Sequence, residues 1–188
     1  MPGYLAAFTM VILVGTVVTR VILMARAGIR AMHFGRLDKT DFLIPPLALL
    51  YLYTIFAAAF QLPSLDTQRL FQSTALAWVG AVFCLAGAVI LLLSLIAFGR
   101  SFRVGIDVEH PDQLVTSGLF AYSRNPIYVA FGLVLFGQFL VFPNWIPLAY
   151  LIAGLWLLHR QVLREEAFLK QHYGQAYADY CQRVRRYL

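Results

Sequence analysis

Charge is what this 188-residue chain has least of: 13% of its residues are Asp, Glu, Lys or Arg, against roughly 25% in soluble domains. With 61% apolar residues beside it, so small a charged fraction excludes an ordinary water-soluble fold. Disorder is excluded as well, because it requires low hydrophobicity and high net charge. Cysteine is nearly missing. Cys84 sits in the middle of an apolar run and Cys181 in the basic tail, so no bridge between them and no close-spaced metal site is expected. The four histidines, His33, His110, His159 and His172, show no ligand spacing and read as surface or interfacial residues. A phosphate-binding loop is missing too, since Gly99 to Gly105 is too irregular for one. Repeats, low-complexity tracts and long linkers are also lacking, which leaves one domain over 1–188. The net charge of +6 comes from 15 Lys and Arg separated by long uncharged runs, a poor match to a groove that tracks phosphates. Neither a nucleic-acid partner nor a metal is expected.

What is present in abundance is long apolar runs. Tyr4 to Met24 and Phe42 to Phe60 each approach the ~20 residues needed to cross ~30 Å of hydrocarbon. Ala75 to Phe98 is the longest uncharged stretch, and it carries Gly80, Cys84 and Gly87 at the spacing of a small-residue packing face. Ile127 to Phe142 and Trp145 to Leu158 are short, and Pro143-Asn144 between them reads as the turn of a helical hairpin. The expected fold is therefore an all-α integral membrane protein of about five transmembrane helices, ending in that hairpin and amphipathic cytosolic helices.

Basic residues orient these spans. Thirteen of the fifteen fall in the segments Ala25 to Asp41, Gly99 to Pro126 and the tail after Leu158, while the opposite connections hold only Arg69 and the first span holds Arg20. Five crossings then put the N-terminus outside and the C-terminus in the cytosol. The first run has no basic residue ahead of it, which argues against a cleaved signal. Residues 1–98 read as scaffold helices and 99–188 as the region that carries chemistry.

Two features stand out in that region. In Ser123-Arg124-Asn125-Pro126-Ile127-Tyr128, Asn is a good N-cap and Pro suits a first helical turn. This is a helix start, and with Arg124 beside its free N–H groups it also suits a carboxylate or other anion. Tyr128 falls in the same first turn. The second feature is Arg164-Glu165-Glu166. On a helix whose inward stripe is Val162, Leu169 and Tyr173, the two carboxylates interrupt an apolar face, and carboxylates near low dielectric need partners. Those partners are either Arg160, Arg164 or Lys170, for stability alone, or a cationic ligand. Further on, Tyr173, Tyr177, Tyr180, Val184 and Tyr187 form a helical aromatic stripe suited to the membrane interface or to packing over the hairpin, with a break expected at Gly174.

Leu114-Val115-Thr116-Ser117-Gly118-Leu119-Phe120, Arg124-Asn125-Pro126-Ile127-Tyr128, Glu165-Glu166 and Tyr173-Gly174-Gln175-Ala176-Tyr177-Ala178-Asp179-Tyr180, in this order, resemble the isoprenylcysteine carboxyl methyltransferase family and its prokaryotic relatives. The likeness covers about the last half of the chain. It implies an integral membrane enzyme that uses S-adenosylmethionine, in the plasma (inner) membrane for a prokaryotic member. Gln113, Leu114, Val115 and Phe120 would line the cofactor pocket, Arg124, Asn125, Pro126, Ile127 and Tyr128 would meet the cofactor from the box, and Glu165 would hold its ribose or amino group. Asn125 departs from the family's usual His, so an imidazole contact is lost, while an amide still caps the helix and donates a hydrogen bond.

The resemblance implies methyl transfer to a lipophilic substrate, most simply the carboxylate of an isoprenylcysteine-like acceptor. Arg160, Arg164 and Glu166 are the candidate catalytic residues, the arginines orienting that carboxylate. A phospholipid ethanolamine N-methyltransferase is the nearest rival, with Glu165 or Glu166 as base. A sterol-reductase-like NADPH enzyme shares a comparable box, although the paired Glu argues against it. A non-enzymatic scaffold or channel would be expected to show polar residues inside its spans, where only Arg20 qualifies.

Overall fold

The structure, a computed structural model, describes residues 1–26, 44–63, 68–98 and 114–188, apart from the side chains of Arg20, Met24, Ile44, Pro45 and Phe98. Gln113, His33, His110 and the basic residues of the 27–43 and 99–113 segments therefore lie outside the described residues.

Among the described residues six helices follow in order: α1 (Pro2–Arg26), α2 (Ile44–Phe60), α3 (Thr74–Phe98), α4 (Pro126–Val141), α5 (Trp145–Tyr173) and α6 (Gln175–Arg183), with a 3-10 turn at Gly118–Ala121 before α4. Among the described residues, all five expected apolar runs lie in helices. In α1, α3 and α5 the apolar helix is long enough to cross a membrane, whereas α2 and α4 are shorter apolar helices. The protein is an all-α integral membrane protein, and large apolar side chains such as Val82, Ile96, Ile152 and Trp156 are exposed on its outside, where hydrocarbon rather than water is their natural neighbour.

Small residues set how closely α3 and α4 approach. A side chain on Gly80 would place its first carbon 2.5 Å from the Gly137 carbonyl oxygen, and one on Gly87 would fall 2.7 Å from that of Ala130. The Gly80, Cys84 and Gly87 face expected from spacing is thus the seam against α4, with Cys84 buried and unbridged within it. Around the seam, Leu13, Leu91, Leu95, Ala130 and Val134 form one apolar core, and Met10, Tyr51 and Ile55 form a second.

One expectation about polar residues is corrected. Gln138, on α4, is fully buried. Its Oε1 accepts from the Tyr51 hydroxyl and its Nε2 lies 3.4 Å from the Met10 sulfur. Arg20 is therefore not alone among polar residues in the spans. Gln138 pins three helices together, because an amide in hydrocarbon must find partners inside the protein. Thr9 and Ser94, also buried, return their hydroxyls to the carbonyls of Ala6 and Ile90 in their own helices.

The hairpin turn forms as expected. Asn144 caps α5 by accepting from the Ile146 amide at 3.2 Å, and the Leu70 amide donates to the Pro143 carbonyl at 2.7 Å. Gly3 faces the Phe142 ring, so the chain start, the α2–α3 connection and the hairpin turn share one end of the bundle. α5 does not stop at Leu158. At ~1.5 Å per residue its 29 residues extend about 44 Å, which carries Glu165 and Glu166 to the other end on the same rod. There Gly174, at φ +53, ends α5 and begins α6.

The aromatic stripe of the tail is corrected as well. α6 stops at Arg183; Val184 is extended, and Arg185 pairs in parallel with Ser123. Val184 and Tyr187 belong to a short strap laid across the start of α4, because a backbone pairing with Ser123 and Arg124 outcompetes one more helical turn.

Candidate functional site

The site is built where three pieces meet at the end of the bundle opposite the hairpin turn: the segment into α4, the outer part of α5, and the strap. Pro126 fixes the first turn of α4 without needing a donor of its own, and Ser123 folds beneath it, its Oγ accepting from the Asn125 amide at 3.2 Å. Tyr180, from α6, donates its hydroxyl to the Phe120 carbonyl at 2.6 Å. Burial pushes this phenol up to about 12, and burial raises that of Tyr177 too. Both tyrosines are buried, their rings 6.1 Å apart.

Glu166 is the hub. Its Oε1 accepts from Arg124 Nη2 at 3.1 Å and from Asn125 Nδ2 at 3.2 Å, while its Oε2 takes Nε and Nη2 of Arg186, each at 2.9 Å. The Arg124 and Glu166 side chains are only 11% and 12% exposed, and that of Arg186 is 40% exposed. Asn125 Nδ2 spends its second hydrogen on the Arg186 carbonyl at 3.0 Å. The Arg124 amide donates to the Arg185 carbonyl at 2.9 Å. The hydrogen bond to Glu166 raises the Arg186 guanidinium above its usual range, so the cluster holds two cations against one carboxylate.

Glu165, the adjacent residue on α5, faces a different set. Tyr128 donates its hydroxyl to Oε1 of Glu165, and Gln161 Nε2 donates to the same oxygen at 3.0 Å. Both donors are neutral and both use Oε1, so Oε2 takes neither.

The structure thus brings together Arg124, Asn125, Pro126 and Tyr128 of the box with Glu165 and Glu166. Pro126 is buried and Ile127 packs on the first apolar core, both supporting the start of α4. Phe120 is buried, and Leu114 and Val115 are half-buried just ahead of the turn. Arg160 is exposed, its guanidinium 5.8 Å from the Trp156 ring centroid; five residues before Glu165, it lies about 140° around α5. Arg164 is half-buried, one residue ahead of Glu165. The partners gripping Glu166 come from α4's approach and the strap, elements distant in sequence. Two contributors were not singled out from sequence. Gln161, four residues before Glu165, had a legible signal in the i, i+4 spacing that makes helical neighbours. Arg186 had none beyond its charge. His159 also joins the strap, its Nδ1 2.7 Å from the Tyr187 hydroxyl.

Residues 75–176, more than half of the chain, match the family model described as phospholipid methyltransferase. The chain belongs to the phospholipid methyltransferase family. In this family member the matched segment runs from α3 through α5 into α6, so it contains Arg124, Asn125, Tyr128, Glu165 and Glu166 but ends before the strap. Curated relatives carry the other expected name. The "Probable protein-S-isoprenylcysteine O-methyltransferase" of Oryza sativa subsp. indica is 32% identical over 110 residues, 57% of this chain and 58% of that protein. The protein-S-isoprenylcysteine O-methyltransferase of Tribolium castaneum is 31% identical over 110 residues, 56% of this chain and 39% of that protein. Protein-S-isoprenylcysteine O-methyltransferase B of Arabidopsis thaliana is 30% identical over 108 residues, 56% of this chain and 55% of that protein. The aligned region thus spans less than two thirds of the length of each of these relatives.

Proposed function

We propose that this protein is an S-adenosylmethionine-dependent methyltransferase acting on a lipophilic acceptor at the membrane surface, with the carboxylate of an isoprenylcysteine-like group as the favoured acceptor. Within a methyltransferase family, the observation that carries this reading is the Tyr128–Glu165 pair at the start of α4, beside the Arg124–Glu166–Arg186 cluster. The chemistry of the donor set fits the cofactor, whose ribose hydroxyls and ammonium suit a half-buried carboxylate and whose own carboxylate suits a cation-rich helix start. Glu165, through Oε2, is assigned to the hydroxyls or amino group. Arg124, Asn125, Pro126, Ile127 and Tyr128 form one wall, and Gln113, Leu114, Val115 and Phe120 lie on the approach to it.

When bound, S-adenosylmethionine supplies a methyl group already activated on a sulfonium centre. The work left to the chain is alignment and exclusion of water. A carboxylate acceptor is ionised at neutral pH and needs no base. Arg160 and Arg164 are assigned to orient it, α5 bringing them to the same end of the bundle as the Glu pair. Both oxygens of Glu166 are already engaged by Arg124, Asn125 and Arg186, which suits it to holding the site in shape.

The name of the matching family model favours a second acceptor, a phospholipid amine. An amine must lose a proton, and Glu165 is then the candidate base. In either case residues 1–98 supply scaffold helices and 99–188 the donor site, with the N-terminus outside and the C-terminus in the cytosol. Gly3 and the strap lie at opposite ends of the bundle, as any reading with the two termini on opposite sides requires, and the basic residues assign which side is cytosolic.

Calorimetric titration of the purified protein with S-adenosylhomocysteine and, in parallel, with NADPH tests the reading. Binding of the first alone, lost in Glu165→Ala, is expected. NADPH binding without S-adenosylhomocysteine binding would point to a reductase and sink it. Labelled methyl transfer to a prenylcysteine analogue, compared with phosphatidylethanolamine, then decides the acceptor, a base-labile ester being expected.

A further inference from the structure

The strap at the end of the chain does more than finish the fold. Arg186 is joined to the box twice, by its guanidinium, which places two N–H groups on Glu166 Oε2, and by its carbonyl, which accepts from Asn125 Nδ2. Arg185 contributes its carbonyl to the Arg124 amide, and Ser123 Oγ lies 3.5 Å from the Arg186 carbonyl. Tyr187 reaches His159 on α5. Four consecutive box positions, 123 to 126, therefore include three that contact the strap directly, and the fourth is the proline that opens α4.

We propose that Arg186 is a positioning residue for the methyl-donor site, clamping the start of α4 to Glu166 of α5 so that Tyr128 meets Glu165. The inference rests on the donor-site reading above and adds to it an element outside the segment that matches the family model. The geometry explains why a bidentate side chain is used. Nε and Nη2 of the guanidinium converge on the one oxygen Oε2, and this pair of charge-assisted bonds from a planar, pre-organised group holds that oxygen in place more tightly than the freely rotating ammonium of a lysine would. The same residue holds Asn125 through its backbone, so the carboxylate and the amide that meet on Glu166 Oε1 are located by one clasp. Glu165 is the next residue along α5, and displacement of Glu166 from Arg186 would turn that face of the helix relative to α4. Misplacement by about 1 Å is enough to cost a site much of its function.

The test compares the full-length wild type with Arg186→Gln, Arg186→Lys, Glu166→Gln and the Arg186→Gln/Glu166→Gln double variant. Two measurements are made on each: affinity for S-adenosylhomocysteine, and hydrogen exchange of the peptide containing the Arg124 amide. Arg186→Gln is expected to weaken binding at least tenfold and to speed exchange at Arg124, and Arg186→Lys to recover part of both. The double variant should bind no more weakly than Glu166→Gln alone, since residues acting as one unit are not additive. Wild-type affinity in Arg186→Gln, or additive losses in the double variant, would overturn the proposal even if the fold is intact. If the wild type itself does not bind S-adenosylhomocysteine, the donor-site reading fails. The exchange measurement still judges the clasp in that case, with unchanged protection at Arg124 overturning it.

Discussion

Asn125 shows how much one amide can hold. Its Nδ2 donates to a carboxylate and to a backbone carbonyl from a residue that is itself buried, so truncation leaves the Arg186 carbonyl without that donor. Asn125→Ala is expected to cost about 1–3 kcal/mol, read as a lowered thermal unfolding temperature in detergent. Asn125→Asp should be worse, because it sets a second carboxylate against Glu166 and against a carbonyl oxygen. Glu165 and Glu166 illustrate a limit of sequence reasoning at this scale. Both were legible as carboxylates interrupting an apolar stripe, but their roles differ through partners drawn from elsewhere: neutral Tyr128 and Gln161 for one, Arg124 and Arg186 for the other. Spacing within α5 offered Arg160, Arg164 and Lys170 as partners, and it contains no information about a strap twenty residues on.

Among the elements, the α3–α4 seam was the most legible, because small residues at helical spacing have few other uses in a span. Gly80→Leu is expected to force the helices apart and to cost at least about 1–3 kcal/mol by overpacking, since its first carbon would meet a backbone oxygen. Gly15→Ala is the matched control. Nothing lies within 4 Å of that position, and little change in unfolding temperature is expected. Gly174 was legible as a break because glycine commonly ends helices, and its φ of +53 with ψ −121 is a backbone conformation that strains an L residue; Gly174→Ala should cost about 1–3 kcal/mol. The bond from the Tyr180 hydroxyl of α6 to the Phe120 carbonyl also has a pH limit. It needs a protonated Tyr180, so its contribution is complete below the ordinary tyrosine value of ~10 and is lost as pH rises toward about 12. Ultraviolet titration of phenolate should show Tyr180 ionising late, together with exposure of the 3-10 turn. The end of α6 was not legible: the four-and-three spacing of Tyr173, Tyr177, Tyr180, Val184 and Tyr187 continues past Arg183, but the backbone leaves the helix to pair with Ser123.

For the whole molecule, the proposed orientation makes a direct prediction. In a background lacking Cys84 and Cys181, Leu188→Cys should be protected from a membrane-impermeant maleimide in intact cells, and Gln72→Cys should be labelled. The reverse pattern would invert the assigned topology. The chain by itself determined that the protein lives in a membrane, where its apolar helices among the described residues lie, where its hairpin turns, and which box and which Glu pair are the candidates for chemistry. Those properties follow from local composition and from periodicity along the chain. Tertiary structure alone decided that Gln138 pins Tyr51 and Met10, that Arg124 faces an internal carboxylate, and that the last residues close over the start of α4. Pairings between residues twenty to sixty or more positions apart are set by helix packing and backbone hydrogen bonds, and these leave no periodic trace in sequence.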